Sequence, residues 1–403
     1  MTLSYSTDIV IFGGGVAGLW LLNRLRNEGY GVILLESNTL GCGQTVASQG
    51  IIHGGLKYAL TGSLTGATNV IADMPARWRN SLQGSIENNF DIDLSNVRVT
   101  SDHYCMWSDT GMRSKLKAFL GSKSLIGRVR AVPESNYPSF LAGAPADGTL
   151  YRLPDFVINP SSLIEILADH QPKGIYQTNP SAIEFLRNDS GSVTGTLIKT
   201  ENKTVRIATQ RIIFCAGEGN QALIEKAALK TPHSQVRPLN MVYVKRPKLP
   251  MVFMHCIGSN FSLTPSLTIT SHQDKMGITT WYLGGELAES GVTKGSTEQI
   301  HAAKKLIFSL FPWIEFDEAT WGCFLINRAE ANINNNYRPD DACLIEEKNV
   351  LIAWPTKLTL TPVLADKTIE MLHATSVKPT NREHCAELDS FFNRPGIANA
   401  PWS

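Results

Sequence analysis

The sequence lacks the features of several protein classes. Its seven cysteines are scattered without a Cys-x-x-Cys pair, which argues against zinc sites and disulfides and favours reduced thiols in the cytosol. A formal net charge of +1 gives no reason to expect nucleic acid as a partner. The most apolar segment, 9–22, is interrupted by glycines, so we expect no transmembrane segment. The length of 403 residues predicts two or three globular domains.

The first thirty residues predict a dinucleotide-binding unit. A short apolar run at 9–12 predicts a buried parallel strand, and the apolar spacing from Val16 to Asn27 predicts a helix. Between them stands Gly13-x-Gly15-x-x-Gly18. Gly13 permits a tight turn, Gly15 leaves room for a pyrophosphate, and Gly18 lets the helix pack closely on the strand. The helix N-terminus, at Val16 and Ala17, is then expected to bind the phosphates.

A carboxylate follows the second predicted strand, at 31–35. Glu36 stands at the distance expected of a group that binds ribose hydroxyls, and Ser37 adjoins it. No arginine accompanies Glu36, and a carboxylate repels a 2′-phosphate, so the sequence disfavours NADP.

A loop rich in Gly, Ser and Thr occupies 40–58, and loops of this composition let a flat ligand lie against the backbone. Its end, Ile-Ile-His-Gly-Gly-Leu-Lys-Tyr at 51–58, is similar to the "IHGGLRY" segment of FAD-dependent glycerol-3-phosphate dehydrogenases. It is more loosely similar to the "VIHAG" segment of L-2-hydroxyglutarate oxidases. Both belong to the D-amino-acid-oxidase-like flavoprotein superfamily. The resemblance implies cofactor contacts from Thr45, Ser48, Gln49 and Gly50.

The middle of the chain favours FAD over NAD. Three predicted strands at 182–187, 193–199 and 204–208 form a β-meander, and a further apolar strand ends in Ala216-Gly217. This arrangement resembles the glutathione-reductase type of FAD-binding Rossmann domain, whereas NAD dehydrogenases usually run straight βαβ units. We expect FAD, bound without a covalent link, with Ala216 and Gly217 in its site.

The strands from 241 to 283 alternate and predict an antiparallel sheet, which resembles the substrate-domain sheet of the superfamily. A later strand, 321–328, ends at Arg328, where relatives have an active-site arginine. Farther on, Lys357-Leu358-Thr359 resembles the "GGKLTTYR" segment of the glycerol-3-phosphate family, before a predicted helix at 363–373. This resemblance adds Lys357, Leu358 and Thr359 to the cofactor site. Trp354-Pro355 stands where the family has Gly-Gly.

The expected fold is α/β, with an FAD-binding Rossmann-like domain of the glutathione-reductase type and an α+β substrate domain containing an antiparallel sheet. The expected bounds are 1–85, 155–235 and 325–380 for the FAD-binding domain, 86–154 and 236–324 for the substrate domain, and 381–403 for a C-terminal tail. We expect this tail to be a short helix and a loose end.

The resemblance implies hydride transfer from a small anionic alcohol, of the 2-hydroxyacid or glycerol-3-phosphate type, to flavin N5. His53 is the expected base for the hydroxyl proton, and the alternative is that it only hydrogen-bonds the cofactor or backbone. Arg328, Lys357 and Lys57 are expected to bind the substrate anion, or else to form structural ion pairs. Tyr58 either caps the pocket or belongs to the core.

Two other functions stay open at this point. Many relatives oxidise amino acids or N-methyl amino acids, and a neutral amine needs no strong base. The Trp354-Pro355 substitution also allows a flavin-binding module whose active site has decayed. Relatives pass electrons to oxygen or to quinone, and the sequence does not choose between them. The expected location is cytoplasmic, with peripheral membrane association left open, and no metal is expected.

Overall fold

The computed structural model describes most of the chain, and only the backbone of 66–69. The described residues are 2–55, 66–84, 91–108, 129–145, 148–199, 203–257, 265–274, 276–333, 339–375, 377–380 and 386–403.

Strands make up most of the described elements. They are, in chain order, β1 (Thr2–Phe12), β2 (Val32–Glu36), β3 (Ile51–Ile52), β4 (Val99–Ser101), β5 (Tyr104–Ser108), β6 (Arg130–Ala131), β7 (Thr149–Leu153), β8 (Phe156–Ile158), β9 (Ile175–Gln177), β10 (Ile183–Arg187), β11 (Val193–Lys199), β12 (Thr204–Phe214), β13 (Ser234–Arg246), β14 (Met254–Ile257), β15 (Leu267–Gln273), β16 (Thr279–Gly284), β17 (Thr320–Ala331), β18 (Cys343–Glu347) and β19 (Val350–Trp354).

The helices pack around these strands. They are α1 (Val16–Asn27), α2 (Gly66–Leu82), α3 (Pro160–Asp169), α4 (Asn220–Lys226), α5 (Glu286–Ser290), α6 (Ser296–Leu310), α7 (Thr361–His373) and α8 (Ala386–Asp389). Short 3₁₀ turns lie at Glu134–Asn136, Ser139–Leu141, Pro180–Ala182, Gly217–Gly219 and Leu358–Leu360.

The first large sheet contains the predicted dinucleotide-binding unit. Its parallel strands lie side by side in the order β19, β12, β1, β2 and β9. Apolar side chains bury both faces, with α1, α3 and α7 packed on one of them, as expected of a sheet connected by helices. The predicted strand at 9–12 and helix Val16–Asn27 are confirmed.

The β-meander joins this sheet differently from the prediction. The sequence predicts two separate strands at 204–208 and from 211, but β12 is one strand of 11 residues. It pairs in register with β1 from Thr2–Thr204 to Phe12–Phe214. Its other edge is shared, since β11 pairs with the first half and β19 with the second. Continuous pairing with β1 is the reason that the strand does not break.

The second large sheet has the order β17, β13, β16, β15, β14, β5, β7 and β6. It is antiparallel except for the parallel pair β5–β14. Alternate residues of β13 point to opposite faces. Val242 and Val244 face the core under α6, whereas Met241 and Tyr243 belong to a cluster on the other face with Tyr282 and Trp402. The fold class expected from the sequence is confirmed.

A small sheet, β3–β8–β4, connects the two large ones. β3 pairs antiparallel with β8, through Ile51–Val157 and Ile52–Phe156, and the backbone N–H of Ile158 donates to the Gly50 carbonyl at 2.9 Å. This pairing places His53, which follows β3 directly, next to the start of β8.

The expectation of a loose C-terminal end is wrong. Leu40 forms a parallel bridge with Ile397, and its N–H donates to the Gly396 carbonyl at 2.7 Å. Trp402 is buried, with its ring centroid 4.5 Å from that of His272 and 4.6 Å from that of Tyr282. Burial of a large aromatic side chain provides the free energy that orders this segment.

The predicted domain bounds stay a prediction. β17 continues in the second sheet to Ala331, past the proposed bound at 325. None of the helices in the described ranges is both long and apolar enough to cross a membrane.

Candidate cofactor site and active site

A cleft of about 740 Å³ opens at the carboxyl ends of the parallel strands β1, β2, β12 and β19, where ligands of open α/β sheets bind. Among the residues predicted to bind the cofactor, those that line it are Gly13, Gly15, Val16, Ala17, Glu36, Ser37, Thr45, Ser48, Ala216, Gly217, Lys357 and Leu358. Contact of each with a cofactor stays a prediction.

The three glycines of the fingerprint have distinct surroundings. Gly13 has φ +109°, and a Cβ there would lie 2.6 Å from the Cys215 carbonyl. A Cβ on Gly18 would lie 1.9 Å from the Gly13 oxygen, so only glycine permits this approach of helix and strand. At Gly15, in contrast, the nearest atom to a Cβ is Thr45 Oγ1 at 3.3 Å. Gly15 therefore lies at the N-terminus of α1 with one side-chain atom tightly beside its missing Cβ and with the cleft next to it, as a pyrophosphate cradle requires.

The Glu36 carboxylate is buried at the end of β2 and organises the turn around it. Its Oε1 accepts hydrogen bonds from the N–H groups of Ser37 at 2.7 Å and Asn38 at 2.8 Å and from the Ser37 hydroxyl at 3.2 Å, and its Oε2 accepts one from Gly14. Because Oε2 accepts a single hydrogen bond and a carboxylate oxygen has two lone pairs, Oε2 keeps capacity for a ribose hydroxyl. The geometry therefore fits the predicted role.

Two buried polar atoms at the cleft have no hydrogen-bond partner among the described residues. They are Ser48 Oγ and Trp354 Nε1, and both residues line the cleft. Because buried donors and acceptors are normally satisfied, the unpartnered Ser48 hydroxyl fits a wall that receives a polar ligand. The Ser48 hydroxyl, the Gly15 cradle and the N-terminus of α1 together fit a dinucleotide.

Trp354 itself packs in the core, with its side chain beside those of Phe214 and Cys343 in one cluster. The glycine-like position of this segment is Thr356, which has φ +63°. A left-handed backbone at a β-branched residue is rare and is found where function requires it. Because Lys357-Leu358-Thr359 aligns with the family's Lys-Leu-Thr, its Gly-Gly aligns with Pro355 and Thr356, one residue later than Trp354-Pro355. Thr356 keeps the backbone conformation that glycine favours.

His53 directly follows β3 of the small sheet and is not among the residues that line the cleft. Its backbone N–H donates to Thr359 Oγ1 at 3.1 Å, and Thr359 directly follows the cleft-lining residues Lys357 and Leu358. The Thr359 carbonyl accepts a hydrogen bond from Trp78 Nε1 at 3.0 Å. The tertiary structure thus brings together two motifs 300 residues apart in the chain, the His53 loop and the Lys357–Thr359 segment.

The two described cationic candidates lie in different environments. Lys357 lines the cleft and is 8% exposed, and its Nζ donates to the Asp340 carbonyl at 2.5 Å. Arg328 is not among the cleft-lining residues. Its Nη1 lies 3.5 Å from Glu289 Oε1, and its Nε donates to the Arg237 carbonyl at 3.4 Å. Lys357 therefore lines the cleft with its ammonium group bound to a backbone carbonyl, whereas Arg328 has an ion-pair partner outside the cleft lining.

Several predicted residues lie outside the cleft or the described chain. Gln49 Nε2 donates to the carbonyls of Tyr282 at 3.0 Å and Thr268 at 3.2 Å, which connects the glycine-rich loop to the second sheet. Gly50, with φ +69°, lies against the Ile158 carbonyl. Lys57 and Tyr58 lie outside the described residues.

Burial also affects the titratable groups near the cleft. Desolvation, and secondarily the Glu36 carboxylate, raises the pKa of the Cys42 thiol, which lines the cleft. Because the thiolate is the reactive form, this shift argues against attack by Cys42 on a flavin. Desolvation raises the pKa of the Asp155 carboxyl to about 7, although the N–H groups of Gly54 and of Asp155 itself partly oppose the shift.

Sequence reasoning missed Gln44 and Asp155. Gln44 Oε1 accepts a hydrogen bond from the Ala329 N–H at 3.1 Å and so connects the cleft loop to β17. Asp155 Oδ1 accepts one from the Gly54 N–H at 2.9 Å. Neither belongs to a motif, and their partners are 285 and 101 residues away in the chain, so no local signal indicated them.

Comparison with known proteins agrees with this geometry. The model of the DAO family, described as FAD dependent oxidoreductase, matches residues 8–366. The chain belongs to this family. It is 39% identical over 403 residues to a "Probable FAD-dependent oxidoreductase" of Pseudomonas aeruginosa, with 100% of this chain and 99% of the relative covered. The crystal structure of a P. aeruginosa FAD-dependent oxidoreductase has a TM-score of 0.83 at 36% identity, covering 100% and 99% of the two chains.

More distant structures share the fold. Glycine oxidase from Geobacillus kaustophilus has a TM-score of 0.66 at 15% identity, covering 95% of this chain and 100% of that one. L-alpha-glycerophosphate oxidase from Mycoplasma pneumoniae, solved with FAD bound, has a TM-score of 0.63 at 15% identity, covering 99% and 100%. The DAO-family protein described here is therefore an FAD-dependent oxidoreductase, and its substrate is not fixed by these similarities.

Proposed function

We propose that this oxidoreductase dehydrogenates a small anionic alcohol, of the 2-hydroxyacid or glycerol-3-phosphate type, to the corresponding ketone. The observation that supports the proposal is the hydrogen bond between the His53 N–H and Thr359, which holds a histidine next to the Lys357–Thr359 segment of the cleft. An imidazole and an ammonium group near one cleft suit an alcohol that must lose a proton and carries a negative charge.

In this proposal His53 accepts the hydroxyl proton of the substrate. Bound FAD would supply the two-electron acceptor for the hydride of the carbinol carbon, so that the alcohol would lose two electrons and two hydrogens in all. A histidine has the right pKa range for this proton transfer near neutral pH. The local similarity to the aerobic glycerol-3-phosphate dehydrogenase of Escherichia coli, 37% identity over 51 residues and only 13% of this chain, is compatible with such a substrate.

Lys357 supplies the positive charge for the substrate anion. Its side chain is buried at the cleft, so its charge is weakly screened by solvent. Arg328 lies outside the described cleft lining and pairs with Glu289, so it would have to leave this ion pair to bind the substrate anion. Tyr58 and Lys57 remain candidates on the basis of sequence alone.

A second candidate is oxidation of an amino acid or another small amine. The observation that favours it is the likeness of the fold to glycine oxidase from Geobacillus kaustophilus, whose TM-score of 0.66 is no lower than the 0.63 of the glycerophosphate oxidase. A neutral amine needs less help from a base. Under this alternative His53 has a smaller role. Oxygen or quinone as acceptor, and a cytoplasmic location, stay predictions under either candidate.

The test is the visible flavin spectrum of the purified protein during anaerobic titration with glycerol-3-phosphate, L-2-hydroxyglutarate, lactate, glycine and sarcosine in turn. We expect bleaching by one of the first three compounds, and a strong loss of the bleaching rate in His53→Gln. The control is His301→Gln, which replaces an exposed histidine on α6. Bleaching only by glycine or sarcosine, with little effect of His53→Gln, would establish the amine alternative. A bound flavin that no compound reduces would favour the non-catalytic module.

A further inference from the structure

The buried carboxyl of Asp155 has no part in the function proposed above. Asp155 lies between β7 and β8 and is 2% exposed. Its Oδ1 accepts a hydrogen bond from the backbone N–H of Gly54 at 2.9 Å. Gly54 directly follows His53, so this carboxyl is attached to the peptide unit on the C-terminal side of the histidine.

The preceding peptide N–H, that of His53, is held from another part of the chain. It donates to Thr359 Oγ1 at 3.1 Å, and the Thr359 hydroxyl lies 3.4 Å from the Ile51 carbonyl. Trp78 Nε1 in turn holds the Thr359 carbonyl. Two successive backbone N–H groups are therefore bound by two side chains from separate elements, which holds the two peptide planes on either side of the His53 Cα.

The residues after His53 cannot fix this geometry through side chains of their own. Gly55 has φ +77°, and a Cβ there would lie 2.3 Å from Ile71 Cγ2 on α2. A Cβ on Gly54 would be in ordinary contact with Pro154 and Pro75. The loop is thus a glycine turn against a helix, and glycine allows many backbone conformations. The hydrogen bonds that Asp155 and Thr359 accept from this turn select one of these backbone conformations.

We propose that Asp155 is a positioning residue, which sets the direction of the His53 imidazole through the Gly54 peptide. The proposal rests on the proposed function in so far as His53 is the base. Removal of the acceptor leaves the Gly54 N–H without its partner in a buried turn, and the turn then moves to find another. A displacement of about 1 Å at a reacting group is enough to lower a rate about a hundredfold.

The experiment compares Asp155→Ala, which removes the acceptor, with Asp155→Asn, which keeps a carbonyl oxygen in the same place. The control is Asp8→Asn. Asp8 is also fully buried, and it also accepts a hydrogen bond from a backbone N–H, that of Gly31 at 2.8 Å, but it lies on β1 of the first sheet. If Asp155→Ala does not fold, Asp155→Ser replaces it, since its shorter side chain does not reach the Gly54 N–H.

The first measurement needs no substrate. The FAD-loaded protein is labelled with ¹³C-histidine, and the His53 imidazole signal is assigned by its loss in His53→Gln. We expect the signal to shift or broaden in Asp155→Ala and to stay at its wild-type position in Asp155→Asn and Asp8→Asn. An unchanged His53 signal in Asp155→Ala would overturn the proposal.

The second measurement uses the compound that reduces the flavin. We expect kcat to fall roughly ten- to hundredfold in Asp155→Ala with KM changed less than about threefold, and Asp155→Asn to recover most of the loss. Equal damage in both variants with an unshifted imidazole signal would make Asp155 merely structural. If His53→Gln keeps full activity, the proposed function fails, whereas the imidazole signal still decides whether Asp155 positions the ring.

Discussion

Replacement of His272 by Phe should make the protein more resistant to acid. His272 lies on β15, is 2% exposed, and stacks on Trp402, and burial lowers its pKa from 6.5 to about 3. The unfolded chain therefore binds a proton at His272 at a pH where the folded protein does not. The folded-state pKa is depressed for a base, so stability is full above about pH 6.5 and falls as the pH drops toward 3.

The size of this effect follows from the two pKa values. A pH of about 4.5 lies about 2 units below the pKa of His272 in the unfolded chain and above its pKa in the folded protein. At this pH the unfolded chain is therefore stabilised by proton binding, and the free energy of unfolding falls by about 2.7 kcal/mol. Phe keeps the ring contact with Trp402 and removes the ionisation. We expect the free energy of unfolding of His272→Phe, relative to that of wild type, to be about 3 kcal/mol more favourable to the variant at pH 4.5 than at pH 7.5.

The assay is guanidinium chloride unfolding at both pH values with saturating FAD. The pH dependence of wild-type stability does not isolate His272, because the ionisation of Asp155 changes the free energy of unfolding in the opposite direction over a similar pH range. Met241→Leu, which alters the same cluster without touching the imidazole, is the control and should follow wild type. Trp402→Ala should lower stability at both pH values and reduce the pH dependence, since water then reaches His272. An identical pH dependence in wild type and His272→Phe would refute the reasoning.

Three further predictions concern the cofactor, the substrate and a second buried group. Gly15→Val should fold but lose its flavin absorbance, because the added side chain crowds Thr45 and occupies the part of the cleft that the pyrophosphate needs. Arg328→Met should raise KM or lower kcat/KM by roughly one to three orders of magnitude if the guanidinium binds substrate, whereas Glu289→Gln should not. The folded-state pKa of Asp155 is raised for an acid, so its charge destabilises the protein as pH rises from 3.8 through 7. Asp155→Asn should therefore gain about 4 kcal/mol relative to wild type between pH 4 and pH 8, measured by denaturant unfolding.

Each of these has an outcome that contradicts it. Full FAD content in Gly15→Val would remove Gly15 from the cofactor site, and Gly295→Ala, at an open position before α6, is the matched control. Equal losses in Arg328→Met and Glu289→Gln would assign the effect to the ion pair. A difference between Asp155→Asn and wild type that is constant from pH 4 to 8 would mean that burial does not shift the ionisation of this carboxyl.

The sequence predicted the first sheet well because its signals are local. The apolar run at 9–12, the glycine fingerprint and the helical spacing of Val16–Asn27 each lie within a few residues, and each has one physical reading. The motifs that resemble the flavoprotein superfamily, such as 51–58 and 357–359, are also local, and their order along the chain indicated the family. Alternation along β13 and β16 likewise predicted a sheet with two different faces.

Other features depended on long-range contacts. Two predicted strands fused into β12 because β1 pairs along the whole of it, and the end of the chain is ordered because Trp402 finds His272 and Tyr282. The sequence likewise did not indicate that Arg328 pairs with Glu289, because this ion pair joins two separate elements, β17 and α5. None of these pairings leaves a pattern in the neighbouring residues.

By itself, therefore, the sequence determined the cofactor class, the fold class and the loop in which His53 stands, because glycine spacing and apolar periodicity act within one element. Only the tertiary structure decided what surrounds that loop. It brought Thr359 and Asp155 to successive peptides at His53 and gave Arg328 an acidic partner. The physical reason is that hydrogen bonds and ion pairs between distant segments form only after the sheets have packed, and they depend on distances that no local pattern records.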